Sequence, residues 1–545
     1  MTTIARPVFQ TMSATPGTSS FDVADKHLYL VGIGGCGMSG LARMLKGRGA
    51  IVAGSDKESS DATSTLTADG FEVGFEQASG VLPEACDLVI ASAAIRPDHP
   101  EMLAAQRRGI PTMMYAEALG KAMLGRTGVA VAGTHGKSTT CAMLGYALIQ
   151  SGIDPTVIVG ATCAQLADAP ICATDPASSA GRCMGATGMA GSTDICGRAS
   201  VAQGSTGFRL GGNTIGTGPH KGAPGVLLAE ACEFNRSFHN LHPTIGVVLN
   251  VEADHLDVYG SLDAVVEAFR DFARMLPASN PDGSGGWLLI GHDGSHRREV
   301  TGGVKCEVET IGFAPDADWV VSFDQPSRKA SVRHKGKPVA EWTLRIPGQH
   351  MAYNSAVAMA VATRLGADPA LVAKALSNFR GVDRRMQFLG EKNPGGITRA
   401  GIRVYDDYGH HPTEIETTLR ALREFERPEQ RHGRLICVFQ PHQHSRTRFL
   451  LEEFAQSFSH ADVVIVPHIY FVRDSQEEKA KIGASDLVDR LRQRGVKAKH
   501  VYPFDAIVEE LETMCRPGDL VVVMGAGPVY EVGRGYLAGA SRDKT

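Results

Sequence analysis

The chain has 545 residues, 43% of them hydrophobic and 21% charged, a balance that excludes disordered, fibrous and collagen-like classes and fits a soluble globular protein. Its length exceeds that at which one hydrophobic core keeps growing, so three domains are expected. The formal charge of −4 leaves no electrostatic footprint for nucleic acid, and no apolar run approaches the roughly 18 residues that span a membrane.

Residues 1–25 are rich in Thr, Ser and Pro and lack an apolar h-region, so they read as a disordered lead to a cytoplasmic protein. The eleven cysteines show no paired C-x-x-C spacing, and those inside apolar runs, Cys141 and Cys437, are expected to be reduced and buried. Short apolar runs at 27–33, 88–94, 129–132, 226–229, 245–251, 435–439, 463–467 and 520–524 alternate with helical stretches. That alternation predicts βαβ units, an α/β fold of mainly parallel sheets with helices on both faces. Ligands of such sheets bind beyond the carboxyl ends of the strands.

The first run is followed by Gly32-Ile33-Gly34-Gly35-Cys36-Gly37 and a helical stretch, which satisfies G-x-G-x-x-G in its strand-turn-helix context. A diphosphate can rest on that helix start, and Asp56 after the second strand is placed to meet a ribose or base. The run 129–132 leads into Gly133-Thr134-His135-Gly136-Lys137-Ser138-Thr139. Here loop N–H groups cradle phosphate oxygens, Lys137 neutralises β/γ charge, and Ser138 or Thr139 can ligate Mg²⁺. Val131 stands at the first glycine of the usual pattern, and an ordinary glycine turn is the competing reading. Between 163 and 208, Gly, Ala, Ser and Thr dominate without periodicity, predicting a long mobile loop. Its Cys163, Cys172, Cys183 and Cys196 are spaced too widely to favour zinc.

Glu230-Ala-Cys-Glu233 and Asn250-Val-Glu252-Ala-Asp254-His255-Leu-Asp257 each follow an apolar strand, which lifts oxygen and imidazole donors to the strand ends beside the phosphate loop. His350, Asn354, Asp383-Arg384-Arg385 and the run Tyr405 to Glu414 supply the polar groups that an adenosine ribose and a γ-phosphate in transit need. The run Phe439-Gln-Pro-His442-Gln-His444-Ser-Arg446-Thr-Arg448 places two guanidinium groups where they can grip a carboxylate. A solvated turn and a basic helix start are the bland readings of these last two.

In this order the motifs resemble those of the Mur ligases, the ATP-dependent amide-forming enzymes of peptidoglycan synthesis, from about residue 26 to about residue 530. The segments carrying the resemblance are Gly-Ile-Gly-Gly-Cys-Gly-Met-Ser-Gly-Leu-Ala, Ala-Gly-Thr-His-Gly-Lys-Ser-Thr-Thr, Asn-Val-Glu-Ala-Asp-His-Leu-Asp, Asp-Asp-Tyr-Gly-His-His-Pro-Thr-Glu and Phe-Gln-Pro-His. The resemblance implies a Rossmann-like domain over 26–125, a central P-loop ATPase-like parallel sheet over 126–382 and a Rossmann-like domain over 383–545. It implies that Gly34, Gly35, Cys36, Gly37, Ser55 and Asp56 hold a UDP-sugar. Gly133, Thr134, His135, Gly136, Lys137, Ser138, Thr139, Asn354, Arg385 and Asp407 would hold ATP, and Ser138, Glu230 and His255 would hold Mg²⁺. Lys137, Glu230, His255 and Arg385 would carry catalysis, with His411, His442, Arg446 and Arg448 at the amino acid.

The implied substrates are UDP-N-acetylmuramate and L-alanine, on a monomer or weak homodimer that binds neither nucleic acid nor membrane. Relatives that add later amino acids carry a lysine downstream of the metal-binding histidine, whereas 256–275 contains none. Met351, Cys232 and Gln443 depart from residues common in the family. A ligase that recycles a preformed tripeptide onto the same sugar and a nucleotide sensor without catalysis are the alternatives, while the second nucleotide loop argues against a dehydrogenase.

Overall fold

The computed structural model describes residues 21–167, 207–279, 285–393, 401–472 and 474–539, which build three sheets in succession. The first is wholly parallel, in the order Glu72–Gly74, Ile51–Ser55, His27–Val31, Leu88–Ala91, Thr112–Met114. Its order reverses at His27–Val31, so the Gly32 to Gly35 turn sits at a topological switch point. Within the expected lead, residues 21–25 are ordered against this sheet and Val23 is 3% exposed, a correction to the boundary at 25; residues 1–20 lie outside the described residues.

The second sheet has ten strands: Lys337–Thr343, Lys329–His334, Trp319–Asp324, Glu307–Gly312, Trp287–Gly291, Ile245–Val248, Thr127–Ala132, Val226–Glu230, Thr156–Ile158 and Phe208–Arg209. The strands from Trp319–Asp324 to Thr156–Ile158 run parallel, but both edges are antiparallel. The sheet is thus mainly parallel, as expected, with antiparallel strands added at its edges. The cause is local: Lys335 (φ 47°) and Gly336 (φ 81°) form a two-residue turn with both φ positive, which folds the chain straight back into a hairpin. Alternation on these strands buries Val321, Ala330, Val332 and Trp342.

The third sheet runs Gln387–Lys392, Ile402–Asp407, Leu520–Met524, Leu435–Phe439, Val463–Val466, Lys497–His500, parallel except for its first strand. Of the expected mobile loop, the ends are ordered as the helix Ala164–Ala167 and the strand Phe208–Arg209. The rest of it, with Cys172, Cys183 and Cys196, lies outside the described residues. Cys163, Cys141 and Cys437 are free and buried. Among the described residues, no helix is long and apolar enough to cross a membrane.

Apolar packing is continuous across the domain seams. One buried cluster joins Val129 and Leu249 of the second sheet to Leu419, Leu435 and Met524 around the third. Another joins Leu30 and Leu41 of the first to Phe238 and Phe269 of the second. The helix Tyr115–Met123 closes the latter seam through Gly120, where a Cβ would lie 1.8 Å from the Asn240 carbonyl oxygen. Gly120→Ala must push two domains apart, so it should cost about 1–3 kcal/mol, read as a lowered Tm in thermal unfolding; an unchanged Tm would contradict this packing.

Candidate functional site

The strand Thr127–Ala132 ends on Gly133 (φ 143°), and Gly136 (φ 84°) opens the helix Lys137–Gln150. A Cβ on Gly136 would approach Asn354 Oδ1 to 2.8 Å, and one on Gly133 would approach Leu249 Cβ to 2.8 Å, so both sites require glycine. Asn250 braces the loop: its Oδ1 accepts from His135 N (2.8 Å) and its Nδ2 donates to His135 O (3.2 Å). The helix N-terminus then presents unpaired N–H groups and a positive dipole end to any phosphate.

Lys137 Nζ donates to Gly133 O (2.6 Å), Thr134 O (3.1 Å) and Glu233 Oε1 (3.1 Å). Burial opposes its charge, but Glu233, with Cys232 and Glu230 nearby, raises its pKa above the ordinary lysine value. Lys137 is thus a fixed cation.

Sequence reasoning grouped Ser138, Glu230 and His255; the structure divides them. Glu230 Oε2 accepts from Ser138 Oγ and Gly160 N, both at 2.9 Å. His255 Nε2 instead lies 3.9 Å from Glu233 Oε1 and 3.7 Å from Asp254 Oδ2, and donor atoms of Glu233, Asp254 and His255 fall within 4.8 Å of one another. Two carboxylates and an imidazole around one point suit a divalent cation with several retained waters. Glu233 belongs to the donor run Glu230-Ala-Cys-Glu233 read from the sequence, but it is not among the residues that the family resemblance assigns to Mg²⁺.

The third sheet closes over this loop. His135 Nδ1 lies 3.4 Å from Glu414 Oε1, and its Nε2 lies 3.4 Å from Glu252 Oε2. Burial alone would lower the His135 pKa, but the two carboxylates more than offset it and raise it to about 9. Glu414 also accepts from Arg385 Nη1 (3.3 Å) and His410 N (3.0 Å). Asp407 accepts from Met386 N (2.7 Å) and Gly409 N (2.6 Å). Burial pushes its carboxyl up to about 6, with Arg385 pulling the other way. Arg385, Asp407, Asn354, Tyr353, Gly136 and Thr139 line a cavity of about 160 Å³ beside the loop.

At the far side of the seam, Arg446 Nε (3.1 Å) and Nη2 (2.8 Å) both donate to Asp254 Oδ1. Burial would raise the Asp254 carboxyl, yet Arg446 and the adjacent histidines hold it well below the ordinary carboxylate range. Arg446 Nη1 remains directed at His442 Nδ1, 3.3 Å away. The expected pairing of Arg446 with Arg448 is corrected: Arg448 Nε is held by Glu478 Oε2 at 2.9 Å and its guanidinium covers Phe449. The two are only two residues apart on one turn of helix, so they point to different neighbours. His411 belongs to the seam, with Nε2 3.1 Å from Ala253 O and its ring 4.6 Å from that of His135.

The first sheet supplies a second cradle. Gly34 N donates to Asp56 Oδ2 at 2.7 Å, and Tyr115 crowds Gly37, where a Cβ would lie 2.6 Å from the phenol oxygen. Ser55, expected to face the ligand, is 1% exposed, and its hydroxyl donates to Glu101 and accepts from Gln77; its carbonyl accepts from Gly32 N and Ile33 N, so it shapes the turn from behind. Cys36, exposed beside Gly35 and Gly37, opens the helix Cys36–Gly47 toward the other two domains. Desolvation raises its thiol pKa, the charge on Glu230 adds to the rise and Arg384 opposes it. Charges from the central sheet (Glu230) and from the C-terminal domain (Arg384) thus both act on a thiol of the first glycine loop.

Residues 27–127 match the description "Mur ligase family, catalytic domain", residues 226–362 match "Mur ligase middle domain", and residues 384–527 match "Mur ligase, glutamate ligase domain". A UDP-N-acetylmuramate–L-alanine ligase of Lachnospira eligens is 34% identical over 517 residues, 94% of this chain and 98% of that protein. One of Acetivibrio thermocellus is also 34% identical, over 94% and 96%. The crystal structure of UDP-N-acetylmuramate-alanine ligase from Thermotoga maritima superposes with a TM-score of 0.68 at 24% identity, over 94% of this chain and 98% of that one. Three ordered matches and near-complete coverage at this identity establish that the chain belongs to the Mur ligase family.

Proposed function

We infer that the chain joins L-alanine to the lactyl carboxylate of UDP-N-acetylmuramate at the expense of ATP, releasing ADP and phosphate, in peptidoglycan precursor synthesis. Relatives alike over almost the whole chain support it, and the single geometric observation that carries it is the glycine loop itself, where Lys137 Nζ donates to Gly133 O, Thr134 O and Glu233 Oε1 beside a cavity lined by Asn354, Arg385 and Asp407. The UDP diphosphate rests on Gly34, Gly35, Cys36 and Gly37 with Asp56 nearby. ATP is taken as a substrate by Gly133 to Thr139, with Asn354, Arg385 and Asp407 at its cavity.

A carboxylate is a poor acylating agent, so its oxygen first attacks the γ-phosphorus, the P–O bond to ADP breaks, and an acyl phosphate results. Lys137 and Arg385 offset the charge that builds on the transferred group. Ser138 with Glu230, and His255 with Glu233 and Asp254, are the donors that would hold Mg²⁺, which would supply positive charge to offset that of the transferred phosphoryl group. The alanine carboxylate meets Arg446 Nη1, its amine gives a proton to His442, and the nitrogen attacks the acyl carbon, expelling phosphate. Closure of the third domain excludes water that would otherwise hydrolyse the acyl phosphate.

Lys137→Ala should lower ADP release by roughly 10²–10³-fold in a coupled assay and, because it strands the buried Glu233 carboxylate, should also lower the Tm; ordinary turnover in the folded variant would reject the assignment. In the wild type, ADP formation should require both UDP-N-acetylmuramate and L-alanine, and a preformed tripeptide should neither replace nor compete with alanine. The His135 pKa is raised in the folded state, so its ion pairs support closure fully below the ordinary histidine pKa and lose that support as pH rises through about 9. kcat should fall along that alkaline limb, and Glu414→Gln, which leaves Glu252 alone on the imidazole, should move the limb to lower pH; a profile identical to wild type would show that His135 does not govern closure.

A further inference from the structure

The helix His444–Phe449, which carries Arg446, starts from a residue in an unusual conformation. Gln443 is buried and has φ 69°, in the left-handed region that a side chain other than glycine seldom adopts. Rotation about that one bond moves His442 relative to Arg446. As the bond stands, Arg446 Nη1 comes to 3.3 Å from His442 Nδ1; relaxed to negative φ, it would swing the imidazole away from the guanidinium. Strain of this kind persists only where the surroundings over-determine it.

Tyr470 and Asp474, four residues apart beyond the next strand of the third sheet, pin the bond from both sides. On the near side, Tyr470 N donates to Pro441 O at 2.8 Å and Gln443 N donates to Tyr470 O at 3.1 Å. On the far side, Asp474 Oδ2 accepts from His444 N and from Ser445 N (3.4 Å), and Oδ1 accepts from Ser445 Oγ at 2.6 Å. The Asp474 side chain is 3% exposed, so these charge-assisted bonds are shielded from water. Glu478 of the following helix, Gln476–Lys481, holds Arg448. Arg446 is thus flanked on its own helix by anchored neighbours.

We propose that Asp474 is a positioning residue of the amino-acid site, acting through the Gln443 turn on His442 and Arg446 rather than by touching substrate. The inference rests on the reading of Arg446 and His442 as the groups that meet alanine. With both sides of the turn fixed, the carboxylate grip and the proton acceptor are set on one amino acid before it arrives. Without Asp474 the two separate, and a displacement of about 1 Å in such a pair can cost on the order of a hundredfold. The two glycine loops follow strands of other sheets, so the loss falls on alanine.

Steady-state kinetics of the full chain, with each substrate varied in turn, separate this from a merely structural role. Asp474→Ala should raise KM for L-alanine at least about tenfold and leave KM for ATP and for UDP-N-acetylmuramate within about twofold of wild type. Asp474→Asn, whose amide oxygen still accepts from the His444 and Ser445 N–H groups, should recover most of the loss. If the thermal unfolding curve shows Asp474→Ala to be unfolded, Ser445→Ala, which takes only the hydroxyl from Asp474, replaces it, with an expected rise in alanine KM of about threefold. An alanine KM that stays at the wild-type value, or three KM values that rise together, overturns the proposal while alanine-dependent turnover of the wild type leaves the functional reading standing. A wild type that turns over without L-alanine overturns that reading, and the role of Asp474 with it.

Discussion

The buried pair between Asp254 and Arg446 is the constraint on which the arrangement of the site depends. Asp254 follows the second sheet and Arg446 follows a strand of the third, and both are less than a tenth exposed. Burying two charges costs more than their attraction returns unless geometry is good and the remaining hydrogen-bonding capacity is met. Here both Nε and Nη2 reach one carboxylate oxygen, while the other faces His255. Undocking the third domain exposes each charge to water, and docking with a shifted register strands both. The pair therefore favours one relative placement of the domains over neighbouring ones, a gain in specificity more than in stability.

That placement carries the rest of the seam with it. Once Arg446 is seated, the helix Pro412–Glu426 lies against the glycine loop, with Thr413 on Glu252 and Glu414 between His135 and Arg385. Glu414 also caps its own helix by accepting from His410 and His411 N–H groups. One carboxylate thus ties a helix terminus, an arginine aimed at the nucleotide cavity and the phosphate loop of another domain. Domain closure and preparation of the phosphate site are one event in this geometry.

Much of this was legible in the chain because each motif follows an apolar strand, and a strand end fixes where the next few side chains emerge. The phosphate loop, the Asp407 segment and Arg446 all follow that rule. The central hairpin was less legible: 319–343 alternates weakly, and its decisive signal is a Lys-Gly turn, easily passed over beside nucleotide motifs. Partner choice was not legible at all. Glu233 and Glu230 are three residues apart on irregular backbone, with Asn235 and Arg236 at positive φ, so nothing in their spacing says that Ser138 takes one and Lys137 the other. Arg448 likewise reads as a twin of Arg446 until Glu478, thirty residues on, is seen to hold it.

Both anion cradles contain a carboxylate of the protein itself: Asp56 on the Gly34 amide and Glu233 on the Lys137 ammonium. An incoming phosphate therefore replaces one anion with another, and the donors are aimed before it arrives, so little reorganisation remains to be made in the transition state. The exchange also discriminates. A monoanion gains little by displacing a carboxylate of equal charge, whereas a diphosphate or triphosphate brings more charge and more acceptor oxygens to the same N–H groups.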